Sequence, residues 1–174
     1  LALQDGRVLW QLPVAVQEGR SELERMADVD GQPVLDGAVL FASSYREQTV
    51  AVHAPSGRPL WTTDHGSAGR VGVGPDKVVA ADRNGIVWGL DKGSGSAIWQ
   101  QDALARRNLS GVAVQGDHAV VGDFEDYLHW LRLDNGEFAA RVDAGEAIRS
   151  APRVADGVLV VQDVEGGVSA YRVQ

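Results

Sequence analysis

The chain has four histidines, His53, His65, His118 and His129, and none has a second histidine at i+2 or i+4. Metal sites on one strand or helix face rest on such pairs, so turn residues and hydrogen-bonded strand histidines account for all four. His129 stands between Leu128 and Trp130, and strand alternation turns it to the face opposite both. Ser110 and His118 have acids nearby, but neither sits in a Gly-x-Ser-x-Gly elbow of the kind that presents a nucleophilic serine. Asp28-Val29-Asp30-Gly31 opens like a calcium loop, yet the third oxygen ligand and the glycine that such a loop needs next are Gln32 and Pro33. Gly72-Val73-Gly74 and Gly93-Ser94-Gly95 precede no helix, so hairpin turns explain them better than phosphate loops. Arg106 and Arg107 follow Asp102-Ala103-Leu104-Ala105, which reads as a short helical turn between repeats. The pair is either a solvated loop or an anion-facing rim patch.

Composition narrows the chemistry further. There is no cysteine, which removes thiolate catalysis, disulfides and Cys-based zinc sites. The formal charge of −8 argues against nucleic acid or an anionic membrane surface as partner. Hydrophobic residues at 44% and charged residues at 23% are globular values, and no apolar run is long enough to cross a bilayer as a helix. Glycine is in excess, 21 of 174 residues, and without a collagen period such an excess means many tight turns and short strands. The chain starts at Leu1 rather than Met, so an address segment is expected to have been processed, cut or left out.

The elements that would position these residues repeat. A Gly-x-x-x-Trp unit occurs at Gly6–Trp10, Gly57–Trp61 and Gly95–Trp99, and a fourth copy, Gly136–Ala140, has Ala in the Trp slot. The glycines at 6, 57, 95 and 136 give intervals of 51, 38 and 41 residues. Two further series keep about the same step: the turns Asp36-Gly37, Pro75-Asp76, Gly116-Asp117 and Asp156-Gly157, and the acids Asp82, Asp123 and Asp163. Between them lie short β-branched runs such as Lys77–Ala81, His118–Gly122 and Val158–Gln162. Four antiparallel strands in roughly 40 residues make a β-propeller blade. The expected fold is therefore all-β, a propeller with about four blades' worth of four-stranded sheets.

The expected boundaries are a terminal strand of a preceding blade (1–14), an acidic insertion (15–32), three blades (33–67, 68–108 and 109–149) and a last blade lacking its outer strand (150–174). Three arrangements would cover the open edges. The chain could belong to a longer propeller, two copies could join as an eight-blade ring, or the Trp10 strand could close a four-blade ring; the first is favoured. Trp10, Trp61 and Trp99, with Gly6, Gly57, Gly95 and Gly136, are expected to dock one blade on the next. Ala140 implies a shallower contact at its boundary, and Trp88 and Trp130 are read as sharing a second packing position.

The repeated Gly-x-x-x-Trp resembles the tryptophan-docking repeat of eight-bladed propellers of the pyrroloquinoline-quinone (PQQ) dehydrogenase type. Within that group, Val121-Gly-Asp-Phe-Glu-Asp-Tyr-Leu-His-Trp130, then Asp134-Asn-Gly-Glu-Phe138, and Glu24-Arg-Met-Ala-Asp-Val-Asp30 leading into Pro33-Val34 resemble the C-terminal half of the BamB family. These are propeller lipoproteins of the outer-membrane β-barrel assembly machinery. The resemblance runs over the whole chain and implies a non-enzymatic scaffold without a cofactor, at the periplasmic face of the outer membrane. It implies binding to the POTRA domains of the barrel-inserting subunit BamA, contact with unfolded outer-membrane proteins, and an N-terminal lipid anchor upstream of Leu1. It places Asp28 and Asp30 at the BamA contact; a second family patch would precede Leu1.

The residues give an interface reading of their own. The first glycine interval exceeds the others by about ten residues, and insertions in repeat proteins map to loops on one face, often the binding face. This one carries Glu18, Arg20, Glu22, Glu24, Arg25, Asp28 and Asp30, with Leu23 and Met26 amid the charges. An apolar pair in a charged rim can anchor a partner, so Glu22, Leu23, Arg25, Met26, Asp28 and Asp30 are the expected partner-binding residues. The plainer alternative is a solvated loop with one local turn. A quinone-dependent dehydrogenase would need a calcium-ligand cluster, a general base and an aromatic stack at the ring centre, and none is visible in these blades. A propeller adaptor of another pathway is the remaining alternative.

Overall fold

The computed structural model describes residues 5–12, 31–44, 48–67 and 69–173. Their regular structure is strand throughout. Blade A comprises β1 (Val34–Asp36), β2 (Val39–Ser44), β3 (Gln48–His53) and β4 (Arg58–Thr63). Blade B comprises β5 (Gly72–Val73), β6 (Lys77–Ala81), β7 (Val87–Asp91) and β8 (Ala97–Gln101). Blade C comprises β9 (Ala113–Gln115), β10 (His118–Gly122), β11 (Tyr127–Arg132) and β12 (Phe138–Asp143). Blade D has three strands, β13 (Arg153–Ala155), β14 (Val158–Gln162) and β15 (Val168–Arg172). Each sheet is a meander whose spatial order follows the chain and whose pairs are all antiparallel. This is the architecture of a β-propeller. Residues 5–12, where the sequence suggested a terminal strand, join none of the four sheets.

Burial follows strand position. Val78, Val79, Ala80 and Ala81 of β6 are fully buried, because a blade sandwiched between two others must be apolar on both faces. Three clusters fill the spaces between blades. Phe41 and Ala51 of blade A meet Val71, Val78 and Leu90 of blade B. Val79 and Val87 of blade B meet Ala119, Val121 and Leu131 of blade C. Val120, Leu128 and Trp130 of blade C meet Leu159 and Val161 of blade D. The outer strand β12 is exposed along its whole length.

A β-bulge recurs between the third and fourth strands. Ala51 faces Trp61 but Val52 faces Pro59, leaving Leu60 as the extra residue. Likewise Ile98 is extra between Gly89–Trp99 and Leu90–Ala97, and Ala139 between Trp130–Ala140 and Leu131–Phe138. The bulge explains the five-residue motif. The glycine closes the hairpin, two residues pair, one bulges outward, and the strand is re-aimed at the Trp slot.

Candidate functional site

The three motif tryptophans make the same contact. Trp10 donates its indole N–H to the Ala54 carbonyl at 2.7 Å, Trp61 to Lys92 at 2.9 Å and Trp99 to Leu133 at 2.8 Å. Each acceptor lies in the hairpin of the following blade, just ahead of that blade's motif glycine. The ring then covers the glycine: a Cβ at Gly57 would fall 2.6 Å from Trp10 and one at Gly95 2.5 Å from Trp61, and Gly136 is covered by Trp99 in the same way. These glycines have φ of +68°, +75° and +75°, so the position requires glycine both for its left-handed backbone and for the indole above it. Gly6 has φ +70° and nothing within 4 Å of where its Cβ would be.

The second tryptophan position must be corrected. Trp88 pairs with Ala80 on β6, whereas Trp130 pairs with Val120 on β10, and in strand register Trp88 matches His129 while Trp130 matches Gly89. A one-residue offset puts the two side chains on opposite faces. Trp88 stacks on His65 with centroids 4.0 Å apart. Trp130 packs against Tyr171 of blade D at 5.8 Å and donates to Gln115 Oε1 at 2.9 Å. The boundary at Ala140 is therefore not shallow. In blade B the cross-strand pair is Gly89 with Trp99; in blade C it is Trp130 with Ala140, so the large ring has moved one strand inward and the small residue outward. Gln115 completes this boundary by donating through Nε2 to the Gly157 and Tyr171 carbonyls of blade D, at 2.9 and 3.0 Å.

At the opposite end of the sheets, the recurring aspartates hold the hairpins between second and third strands. Asp82 Oδ1 accepts the N–H groups of Asn84 and Ile86, Asp123 Oδ1 those of Glu125 and Tyr127, and Asp163 Oδ1 those of Glu165 and Gly167, all within 2.7–3.0 Å. One carboxylate oxygen thus closes each tip as an Asx-type turn. Asp123 does more: its Oδ2 receives Arg107 Nε at 2.5 Å and His129 Nε2 at 2.7 Å, although Asp123 is fully buried. Burial works against its charge, but the hydrogen bonds from His129, Tyr127, Arg107 and Glu125 outweigh it and hold the carboxyl below its usual pKa. Burial likewise pushes the His129 imidazole down, against the opposing pull of Asp123. Nε2 faces a carboxylate oxygen, which accepts, so Nε2 carries the hydrogen of that contact, and Nδ1 has no partner among the described residues. Arg107 also reaches Glu125 at 2.7 Å. Of the alternatives for Arg106-Arg107, the structure selects neither for Arg107, whose charge is consumed by the hairpin of the next blade. Residues 102–107 form a hydrogen-bonded turn, not a helix, closed by Ala105 N–H on the Asp102 carbonyl.

The chain order fixes what shares a face. Connections from each outer strand to the next inner strand (64–71, 102–112 and 144–152) lie at the same end as the aspartate-held hairpins. The second clips onto those hairpins through Arg106 N–H to Asn84 O and Phe124 N–H to Arg107 O, and the third through Val164 N–H to Ala147 O. Exposed Phe124 and Val164 are on this end, with the Arg149 guanidinium 5.4 Å from the Phe124 ring. The docking indoles are at the other end. The expected partner-binding residues Glu22, Leu23, Arg25, Met26, Asp28 and Asp30 lie outside the described residues.

One positional series escaped the sequence reading. A Cβ at Gly31 would meet the Gly69 carbonyl at 2.6 Å, one at Gly69 the Gly111 Cα at 2.9 Å, and one at Gly111 the Ala151 Cβ at 2.8 Å. These residues, at 31, 69, 111 and 151, sit ahead of the innermost strands where the blades crowd together. Their near-40 spacing was the available signal.

Four meandering sheets, with indole-on-glycine contacts at the A–B and B–C boundaries, define a propeller of the PQQ-type repeat class. The family model described as outer membrane protein assembly factor BamB matches residues 1–101 and 83–174, and the chain belongs to that family. The outer membrane protein assembly factor BamB of Xanthomonas campestris is 59% identical over 173 residues, covering 99% of this chain and 43% of the relative. That of Alkalilimnicola ehrlichii is 36% identical over 175 residues, covering 99% and 45%. The crystal structure of BamB from Moraxella catarrhalis superimposes with a TM-score of 0.88 at 24% identity, covering 95% of this chain and 49% of that one. The chain thus spans somewhat less than half the length of these curated relatives.

Proposed function

We propose that the chain serves as a non-enzymatic scaffold in outer-membrane β-barrel assembly. Its place is the periplasmic face of the outer membrane, within a lipid-anchored protein. It binds the POTRA domains of BamA through the end of the blades that carries the inter-blade connections, and it assists insertion of unfolded outer-membrane proteins. The observation that carries this reading is family membership over the whole chain, in a family described as an outer membrane protein assembly factor. The acidic insertion supports it. In chain order it falls between Trp10 and β1, as 102–112 and 144–152 fall between blades, and those two are clipped to the hairpin tips that expose Phe124 and Val164. Glu22, Arg25, Asp28 and Asp30 supply charge, and Leu23 and Met26 the apolar anchor.

A pull-down against the isolated POTRA domains tests it, using an Asp28→Arg/Asp30→Arg variant checked for native circular dichroism. Loss of capture supports the reading. Undiminished capture by the folded variant removes the insertion from the interface, and absence of capture by the unaltered protein removes POTRA binding.

A further inference from the structure

Where the inner strands converge, all four blades contribute to a cleft of about 580 Å³. Among the described residues its lining includes Arg70, Arg149 and Arg153 but no aspartate or glutamate. In a chain with 24 acids against 16 bases, three guanidiniums converging with no acid is not what average composition would give. Among the described residues, no carboxylate forms an ion pair with any of the three. Arg70 is partly withdrawn from water, and burial, then the neighbouring Arg153 charge, lower its pKa. Like charges gathered this way disfavour the free protein unless an anion joins them.

The cleft is also preorganised. Arg153 donates to the Gln32 side-chain oxygen, which ties blade D to the segment entering blade A. Arg149 is held over the Phe124 ring. Gly69 and Gly111 leave the floor as bare backbone, and Val160 and Val168 give one wall apolar surface. Guanidinium forks in fixed positions match the planar geometry of carboxylates.

We propose that this cleft binds a ligand bearing two or more carboxylates, seated between Arg70 and Arg153 with Arg149 at its edge. Such a ligand is either a free polycarboxylate or a peptide segment with clustered acidic side chains.

Calorimetric titration with citrate and, separately, with a triglutamate peptide distinguishes the two sources. Saturable one-to-one binding of either supports the site, provided it weakens at least tenfold in Arg70→Gln and Arg153→Gln and is unchanged in Arg132→Gln, a residue outside the cleft. Citrate alone assigns a free ligand, and the peptide alone an acidic segment. The thermal midpoint of the ligand-free protein should stay level or rise in Arg70→Gln, as repulsion is relieved, and citrate should raise it only in the unaltered protein. Three results overturn the proposal: no saturable binding of either probe, equal binding by both variants, or a fall in the ligand-free midpoint in both, which would make the arginines part of the scaffold.

Discussion

Trp99 occupies the space that a side chain at Gly136 would need, and its indole N–H is satisfied 2.8 Å away by the Leu133 carbonyl of the same hairpin. One residue of blade B thereby closes a turn of blade C, through a ring contact and a hydrogen bond that depend on each other's geometry.

Gly136→Ala should be severely destabilising. The substitution adds left-handed strain of about 1–2 kcal/mol and overpacking of about 1–3 kcal/mol. Gly116→Ala is the control, since Gly116 also has positive φ but nothing within 4 Å of its would-be Cβ. Urea unfolding midpoints should fall clearly further for the first than for the second.

Trp61→Phe keeps an aromatic ring over Gly95 but cannot donate to the Lys92 carbonyl. We expect a loss of about 1–3 kcal/mol, the cost of stranding a partly buried acceptor together with the smaller ring. Trp61→Ala should cost about 3–5 kcal/mol. Equal losses for the two variants would mean that the hydrogen bond, rather than ring packing, carries the contact.

The inverted pair in blade C makes a double-mutant cycle informative. Trp130→Gly alone should destabilise strongly, by about 3–5 kcal/mol, and Ala140→Trp alone should not help, because Trp130 already fills that boundary. Combined, the two restore the blade B arrangement and should recover part of the loss, with a coupling of about 0.5–3 kcal/mol. Strict additivity would show that the two positions do not share one space.

Acid should weaken the B–C boundary in two stages. The folded pKa of His129 is depressed, so its contribution is fully present above the unfolded value of about 6.5 and is lost as pH falls below it toward the folded value. Asp123 is depressed as well, and its contribution is lost at lower pH, as the solution passes below the ordinary carboxylate value of about 3.9 toward the folded one. His129→Gln should abolish the upper stage and leave the lower. Urea midpoints measured from pH 8 to pH 3 report both, and an NMR titration placing the His129 imidazole above 6.5 would reverse the sign of the first.

The propeller was readable because its signals are local. Runs such as Lys77–Ala81 and His118–Gly122 carry β-branched residues between turn formers, and the structure has strands over those same residues. Register is another matter. Trp88 and Trp130 looked equivalent because both precede a motif glycine, but facing depends on cross-strand pairing, and a single residue of offset reverses it. The Arg107–Asp123–His129 cluster joins residues 16 and 6 positions apart across two blades, which no spacing rule reveals. The axial series at Gly31, Gly69, Gly111 and Ala151 had the right period but no conspicuous residue type, and its last member is alanine. Of the candidate interface, the sequence could locate the insertion from one anomalous interval and its charge. The arginine cleft could not be found that way, because Arg70, Arg149 and Arg153 meet only when four blades surround an axis.

The docking contacts also have a direction. Trp10 serves Gly57, Trp61 serves Gly95 and Trp99 serves Gly136, always toward the C-terminus. Blades A and B each own an indole that the successor uses, so damage there should be displaced from its cause. A lesion in β4 would leave blade A's own hairpins closed and loosen the turn around Gly95, where amide exchange and proteolytic nicking would then appear. In such an array the weak point seen by a protease lies one blade downstream of the altered residue.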